Sequence, residues 1–192
     1  SFTDLCLDGM NDPYANKFKH YHKEIRKISN YSYQFDSWTL KAVIVKANDE
    51  SDKKFLRPAH ETPSADFWQV NNLPIYLRPY EIFVTSSNSG LLEFVPDTNS
   101  IDYLKKKFPT KEWNLATFYQ KYFKDDYDKA QKNFVESFAG YAIFTYLFNV
   151  KDRHNGNILV DAHGHMIHID FGFFLQNSPG NIGFEKAPFK FT

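Results

Sequence analysis

Hydrophobic and polar positions change period several times along the chain, and the changes mark out its elements. NKFKHYHKEIRKI (residues 16–28) is polar and basic at helical spacing and stops at SNYS, which predicts a helix and then a loop. WTLKAVIVKAND (38–49) is apolar and β-branched and ends in charge, the pattern of a strand. LPIYLRPYEIFVTSSNSGLLEFV (73–95) predicts two strands, broken by Pro79 and turned at SSNSG. TFYQKYF (117–123) and DKAQKNFVESFAGYAIFTYLF (128–148) have helical periodicity. The second becomes hydrophobic all round, which predicts a buried central helix. NILV and HMIHI flank DAHG, where Gly164 suits a tight turn, so they predict a hairpin. Strands cluster first and helices follow: the expectation is an α+β fold in two lobes. Neither an internal repeat nor a low-complexity linker interrupts it.

Composition narrows the class. The 192 residues suffice for one sizeable core or two small lobes. With 20 Phe and 12 Tyr and 42% hydrophobic residues, the chain is expected to fold rather than stay disordered. Lys and Arg number 23 and so do Asp and Glu, so net charge offers no argument for nucleic acid. The single cysteine, Cys6, excludes an internal disulfide framework and suits a reducing compartment. The longest apolar stretch, residues 138–150, is too short to span a bilayer, and no signal peptide opens the chain. These features lead to the expectation of a cytosolic-type globular protein. The basic run 17–27 reads most simply as a solvated helix face; contact with an anionic membrane is the alternative, at roughly 1 kcal/mol per basic residue near the surface. KKK (105–107) beside DDYD (125–128) reads as surface charge.

The densest chemistry lies in VKDRHNGNILVDAHGHMIHIDFG (150–172). His163, His165 and His168 invite a metal reading. It is disfavoured because His163 and His165 would share one strand face and His168 the other, with neither a second Cys nor an H-E-x-x-H helix. A phosphoryl-transfer reading fits better. Asp152 precedes Asn157 by five positions, as in the kinase catalytic loop, and a DFG (170–172) follows the hairpin. Mg²⁺ takes hard oxygen ligands, which Asp170 and Asn157 supply, and Asp152 or His154 would accept the proton of the attacking hydroxyl.

KDRHNGNIL followed by HIDFGF resembles the phosphoinositide 3-/4-kinase superfamily, whose catalytic loop reads D-R-H-x-x-N. The glycine in DRHNGN and the stretch SPGNIGFEKAPFKFT resemble the phosphatidylinositol 4-kinases, especially their type III beta class. The resemblance implies a kinase-like two-lobed α+β fold. Residues 1–95 would form a small strand-rich N-lobe with the phosphate-covering loop and hinge, and 96–192 a helical C-lobe truncated in this chain. It implies Lys46 of VIVK as the lysine that reaches the ATP phosphates, and Glu93 and Val95 as hinge backbone for adenine. Tyr80 and Ile169 would line the nucleotide pocket. Asp152, His154, Asn157 and Asp170 would carry the chemistry, with 171–192 as the activation loop. SNYS (29–32) would be the loop over the phosphates, although it contains no glycine.

The implied reaction moves the γ-phosphoryl of ATP, with Mg²⁺ (Mn²⁺ as the alternative metal), to the inositol 4-hydroxyl of phosphatidylinositol. The implied product is phosphatidylinositol 4-phosphate. The implied place is cytoplasmic and peripheral at intracellular membranes of the Golgi type, with no nucleic-acid partner.

Two departures stand against the family pattern. After the ATP lysine the family reads D-D-L-R-Q-E opening a long helix, whereas this chain reads ANDESDKKFLRPAHETPSADFW. Lys54 stands where the acid should be, and Pro58 and Pro63 would each break a helix interior at roughly 3 kcal/mol or more. Asp49 or Glu50 would serve as the partner of Lys46 instead; otherwise that lysine is unpaired and its orientation is lost. The helices that complete the family's larger lobe are also missing, so the apolar face of 128–148 is expected to lack part of its cover. Both departures favour the alternative function, a catalytically impaired kinase-like binding module. A protein kinase of the same superfamily is a further rival, opposed by DRHNGN and SPGNIGFE.

Overall fold

The computed structural model describes residues 13–14, 17–31, 35–47, 71–86, 89–108 and 113–171, with backbone alone at 17–20 and 46–47. The segment after Lys46, including Asp49, Glu50, Lys54, Pro58 and Pro63, lies outside the described residues. So do Cys6 and everything beyond Phe171.

Helix α1 (Lys17–Ile28) is followed by strand β1 (Val43–Ala47). β1 pairs antiparallel with β3 (Ser89–Glu93), which pairs in turn with β2 (Ile82–Ser86), in the order β1-β3-β2. Among the described residues, five of the expected 38–49 strand join the ladder, which starts at Val43 opposite the last residue of β3, Glu93. The part of the expected 73–95 strands that lies at residues 73–80 forms none. Pro74 and Pro79 remove two ladder donors, and the segment lies along a helix instead.

A second sheet joins β4 (Thr98–Ser100), β5 (Ile158–Asp161) and β6 (Met166–His168), all antiparallel. β4 leads directly into α2 (Ile101–Lys107). Ser100 Oγ caps it by accepting from Tyr103 N at 3.1 Å, Asp102 sits in the first turn and Lys105–Lys107 in the last. The KKK run therefore completes a helix dipole as well as carrying charge. α3 (Leu115–Phe123) is capped by Asn114, and a 3₁₀ turn (Lys124–Asp126) joins it to α4 (Tyr127–Leu147).

The β5–β6 hairpin is buried on both faces, which explains its two uninterrupted apolar runs. Ile158, Val160 and Met166 enter one core with Leu104, Phe108, Phe118, Tyr119, Phe123 and Ala130. Leu159, Ile167 and Ile169 face the other, with Leu77, Tyr80, Val95, Tyr141 and Phe171. Side chains of α4 and α3 fasten the hairpin's near end. Ser137 Oγ accepts from Met166 N at 2.9 Å, Asn133 Nδ2 donates to His163 O, and the Tyr119 hydroxyl donates to Gly164 O.

α4 was expected to be a buried central helix whose apolar face lacks part of its cover, and the structure shows both buried and exposed positions. Ser137, Gly140, Tyr141, Phe144 and Thr145 are buried, but Val135 is 56% exposed and Ile143, Tyr146 and Leu147 also face solvent. Among the described residues the hairpin, α3 and the 73–80 segment cover only one side of the helix.

Residues 73–80 dock so closely on α4 that Gly140 is required. Tyr76 N donates to Glu136 O at 3.2 Å, and the Tyr141 hydroxyl both accepts from Arg78 N and donates to Arg78 O. A β-carbon on Gly140 would stand 2.8 Å from Ile75 Cγ2 and 2.9 Å from Tyr76 O. Gly140→Ala is therefore expected to destabilise by about 1–3 kcal/mol, despite alanine's better helix propensity. The shift of the urea midpoint measures it.

Candidate active site

The site begins where α4 ends. Asn149 adopts φ +46°, a conformation asparagine tolerates, and turns the chain out of the helix while Val150 N donates back to Thr145 O at 2.9 Å. Two further residues in the left-handed region follow, Asp152 (φ +60°) and Asp170 (φ +56°). Such backbone costs of order 1–3 kcal/mol per residue and persists only where neighbours over-determine it. Here they do.

Arg153, 3% exposed, supplies the main brace. Its Nη1 donates to Ile169 O at 2.8 Å, Nη2 to Asp170 O at 2.5 Å and Nε to Lys151 O at 3.2 Å, and the guanidinium lies 5.4 Å from the Phe171 ring centre. Asn157, also buried, supplies a second brace. Its Nδ2 donates to Asp152 O at 2.5 Å, its Oδ1 accepts from His154 N at 3.0 Å, and its carbonyl accepts from Ile169 N at 3.0 Å. Tyr80 adds a third from the first half of the chain, its hydroxyl accepting from Asp170 N at 3.2 Å. Burial pushes the Tyr80 phenol up to about 12, so it stays protonated.

The result is a loop (150–157) and the exit of β6 held in one register. Asp152 is half-buried, and His154 and Asp170 are exposed. His154 Nδ1 accepts from Gly156 N at 3.1 Å.

The donor set fits a Mg²⁺–nucleotide site. Mg²⁺ is usually held by one or two protein oxygens together with substrate phosphates. Asp170 offers an exposed carboxylate, and the Asn157 amide oxygen, engaged once by His154 N–H, can accept twice. No group of three or more His, Cys, Asp or Glu side chains could hold a metal ion among the described residues.

The remaining sequence-predicted residues fall in several places. Lys46 pairs with Gly90 in the β1–β3 ladder, and its side chain lies outside the described residues. Glu93 N donates to Glu81 O, while its carboxylate accepts from Glu81 N at 2.9 Å and faces Arg78 at 3.6 Å. That side chain staples β2 to β3, so any adenine contact at Glu93 falls to its backbone. Val95 is buried and its carbonyl accepts from the Thr98 hydroxyl at 2.8 Å. Ile169 packs with Tyr80 and Phe171 in the core behind the site.

The histidines have separate fates. His165 Nδ1 lies 2.8 Å from Asp161 Oδ2, while Asp161 Oδ1 accepts from both His163 N and His165 N at 2.8 Å. Burial pushes the Asp161 carboxyl up, but these bonds outweigh it and hold the group below its ordinary value. This pair caps the hairpin turn.

The His168 ring makes no hydrogen bond. It is 0% exposed, stacks on Tyr141 with centroids 4.7 Å apart, and both ring nitrogens lack partners. Burial, helped by the Arg153 charge, pushes it down to about 3. An unfolded chain takes up this proton near pH 6.5, whereas the native state refuses it until about pH 3. Stability is therefore intact above pH 6.5 and falls below it, by up to about 1.4 kcal/mol per unit. His168→Phe keeps the stack and should flatten that slope, as urea midpoints at pH 7.5 and 5 would report.

Sequence reasoning missed the clamp role of Arg153, the Tyr80 hydroxyl contact and the Tyr141 bridge. Only Arg153 left a signal, as the arginine that follows Asp152 in the DRHNGN stretch.

Comparison with known proteins gives the family. The family model described as phosphatidylinositol 3- and 4-kinase matches residues 41–192. A phosphatidylinositol 4-kinase of Dictyostelium discoideum is 43% identical over 190 residues, 95% of this chain and 16% of that protein. Phosphatidylinositol 4-kinase beta 2 of Arabidopsis thaliana is 47% identical over 171 residues, 88% of this chain and 15% of that one. Phosphatidylinositol 4-kinase beta of Xenopus tropicalis is 41% identical over 192 residues, 98% and 23% respectively. The chain thus spans less than a quarter of these relatives' length. With its small antiparallel sheets, helical second half and braced loop, the chain has a kinase-like α+β fold and belongs to the phosphatidylinositol 3- and 4-kinase family.

Proposed function

We propose that this chain is the catalytic part of a phosphatidylinositol 4-kinase, which moves the γ-phosphoryl of ATP to the inositol 4-hydroxyl of phosphatidylinositol in a membrane. The observation that carries the reading is the triple brace of Arg153, Asn157 and Tyr80 around two aspartates in strained backbone. Phosphoryl transfer depends almost wholly on positioning, and such bracing supplies it.

In this reading the hydroxyl oxygen bonds to the γ-phosphorus as the bond to ADP breaks, and Asp152 or His154 accepts the proton. Asn157 and Asp170 hold the metal, which when bound neutralises charge on the phosphate oxygens. Lys46 reaches the phosphates from β1. The Glu93 and Val95 backbone meets adenine above Ile169 and Tyr80, and the chain divides into lobes at residue 95. The setting would be the cytoplasmic face of an intracellular membrane of the Golgi type.

The test is label transfer from γ-labelled ATP to phosphatidylinositol vesicles by the full-length protein, with phosphatidylserine vesicles and a generic protein as controls. Label in phosphatidylinositol 4-phosphate is expected. Label in protein alone would overturn the lipid assignment, and nucleotide binding without transfer would favour the impaired binding module.

A further inference from the structure

We infer that α1, together with Tyr31 and Phe35 after it, forms a docking surface for an anionic lipid bilayer. This rests on the lipid-kinase reading, which puts the substrate in a membrane. Tyr21, Ile25 and Ile28 recur at i, i+4 and i+7, so they share one stripe of the helix. That stripe faces solvent: Tyr21 is 59% exposed, Ile28 80%, and Ile25 is exposed as well. The chain then continues into two more exposed aromatic residues, Tyr31 and Phe35.

Lys23, Arg26 and Lys27 fall on the opposite face and are also exposed. Glu24 is the helix's only acid, and it pairs with Lys27 at 2.8 Å. Of these basic residues, Arg26 and Lys27 stand in the last turn, where they complement the helix dipole. The ring of His22, 5.5 Å from that of Trp38, lies between the two faces and ties the helix to the chain ahead of β1.

An exposed apolar stripe, an exposed cationic face and flanking aromatics together make a helix that lies in a headgroup layer. A nucleic acid would use the cations and leave the stripe in water. A hydrophobic protein groove would use the stripe and have no need of the cations. An anionic bilayer answers to both.

The experiment is co-sedimentation of the full chain with vesicles of phosphatidylcholine, alone or mixed with phosphatidylserine. Two double variants are compared, K23E/R26E and Y21S/I28S, each checked for native circular dichroism and an unchanged melting midpoint. Wild-type protein should partition onto the anionic vesicles and come off as salt rises. Each basic residue near the surface is worth about fivefold, so K23E/R26E should lose at least about twentyfold. Y21S/I28S should lose binding without losing the salt dependence of what remains. Equal binding to neutral vesicles, or variants that bind like wild type, would overturn the surface. Calorimetry with Mg-ATP on the same samples separates the two claims. Nucleotide binding with no vesicle preference sinks the surface alone, whereas vesicle preference without nucleotide binding sinks the kinase reading and leaves the surface standing.

Discussion

Asp170→Asn should lower phosphoryl transfer by about a thousandfold or more, while the melting midpoint stays within a degree or two of wild type. The two halves of that expectation rest on different observations. The side chain of Asp170 is exposed, and its backbone is held by other residues, Arg153 at the carbonyl and Tyr80 at the N–H. Asparagine is also among the few residues that tolerate φ near +56°. Shape and fold are therefore preserved. What is lost is one negative charge at the position assigned to the metal, and the amide that replaces it is a far weaker ligand for a hard cation. Turnover by label transfer, beside a thermal melt of the same preparation, measures both. Near-normal turnover would remove Asp170 from the site.

Arg153→Met is expected to damage fold and activity together. The substitution keeps an apolar stem in the buried slot but orphans the acceptors at Lys151, Ile169 and Asp170. A buried polar group left without its partner costs about 1–3 kcal/mol. Removing the guanidinium also relieves its own desolvation, so the sum is held to about 3 kcal/mol. For a chain of this size that lowers the melting midpoint by roughly 10 °C. Activity should fall further than unfolding explains, even well below the midpoint, because the loop carrying Asp152 is no longer tied to the exit of β6. A displacement of about 1 Å costs on the order of a hundredfold in rate. Arg153→Lys should recover part of the stability and little of the rate, since an ammonium cannot bridge two carbonyls as the planar fork does. If both variants lose rate only in proportion to the unfolded fraction, Arg153 is a structural residue alone.

Long, strongly periodic elements are legible in the amino-acid pattern alone. α1, α3, α4 and the β5–β6 hairpin fall within a residue or two of their expected bounds, since each carries its own spacing of apolar and polar positions or an apolar run bounded by a turn. The hairpin also brings Asn157 and Asp170 to neighbouring places, in keeping with its turn at Gly164. β4 and α2 are not legible: the TNS of β4 is polar throughout and lacks the apolar run that announces β5 and β6, and the lysines of α2 look like plain surface. Residues 73–80 read as a strand because their apolar pattern suits one; their prolines and the Gly140 contact send them along α4 instead.

Within the site, residue types announce acids and amides but not their bracing. A buried arginine satisfied by carbonyls, or a histidine ring with neither nitrogen partnered, is set by tertiary packing that no spacing reveals. Nor does a repeat say which side of α4 is covered.

The central claim is that residues 150–171 form a metal–nucleotide site. Titration calorimetry of the chain with ATP, with and without Mg²⁺, tests it most directly when wild type and Asp170→Asn are run side by side. Wild type should bind ATP weakly, because the resemblance implies an acid partner for Lys46 where Lys54 stands, and binding should tighten when Mg²⁺ is present. The variant should lose the metal's contribution and keep the rest. Tight binding that ignores Mg²⁺, or a variant that responds to the metal as wild type does, would contradict the site.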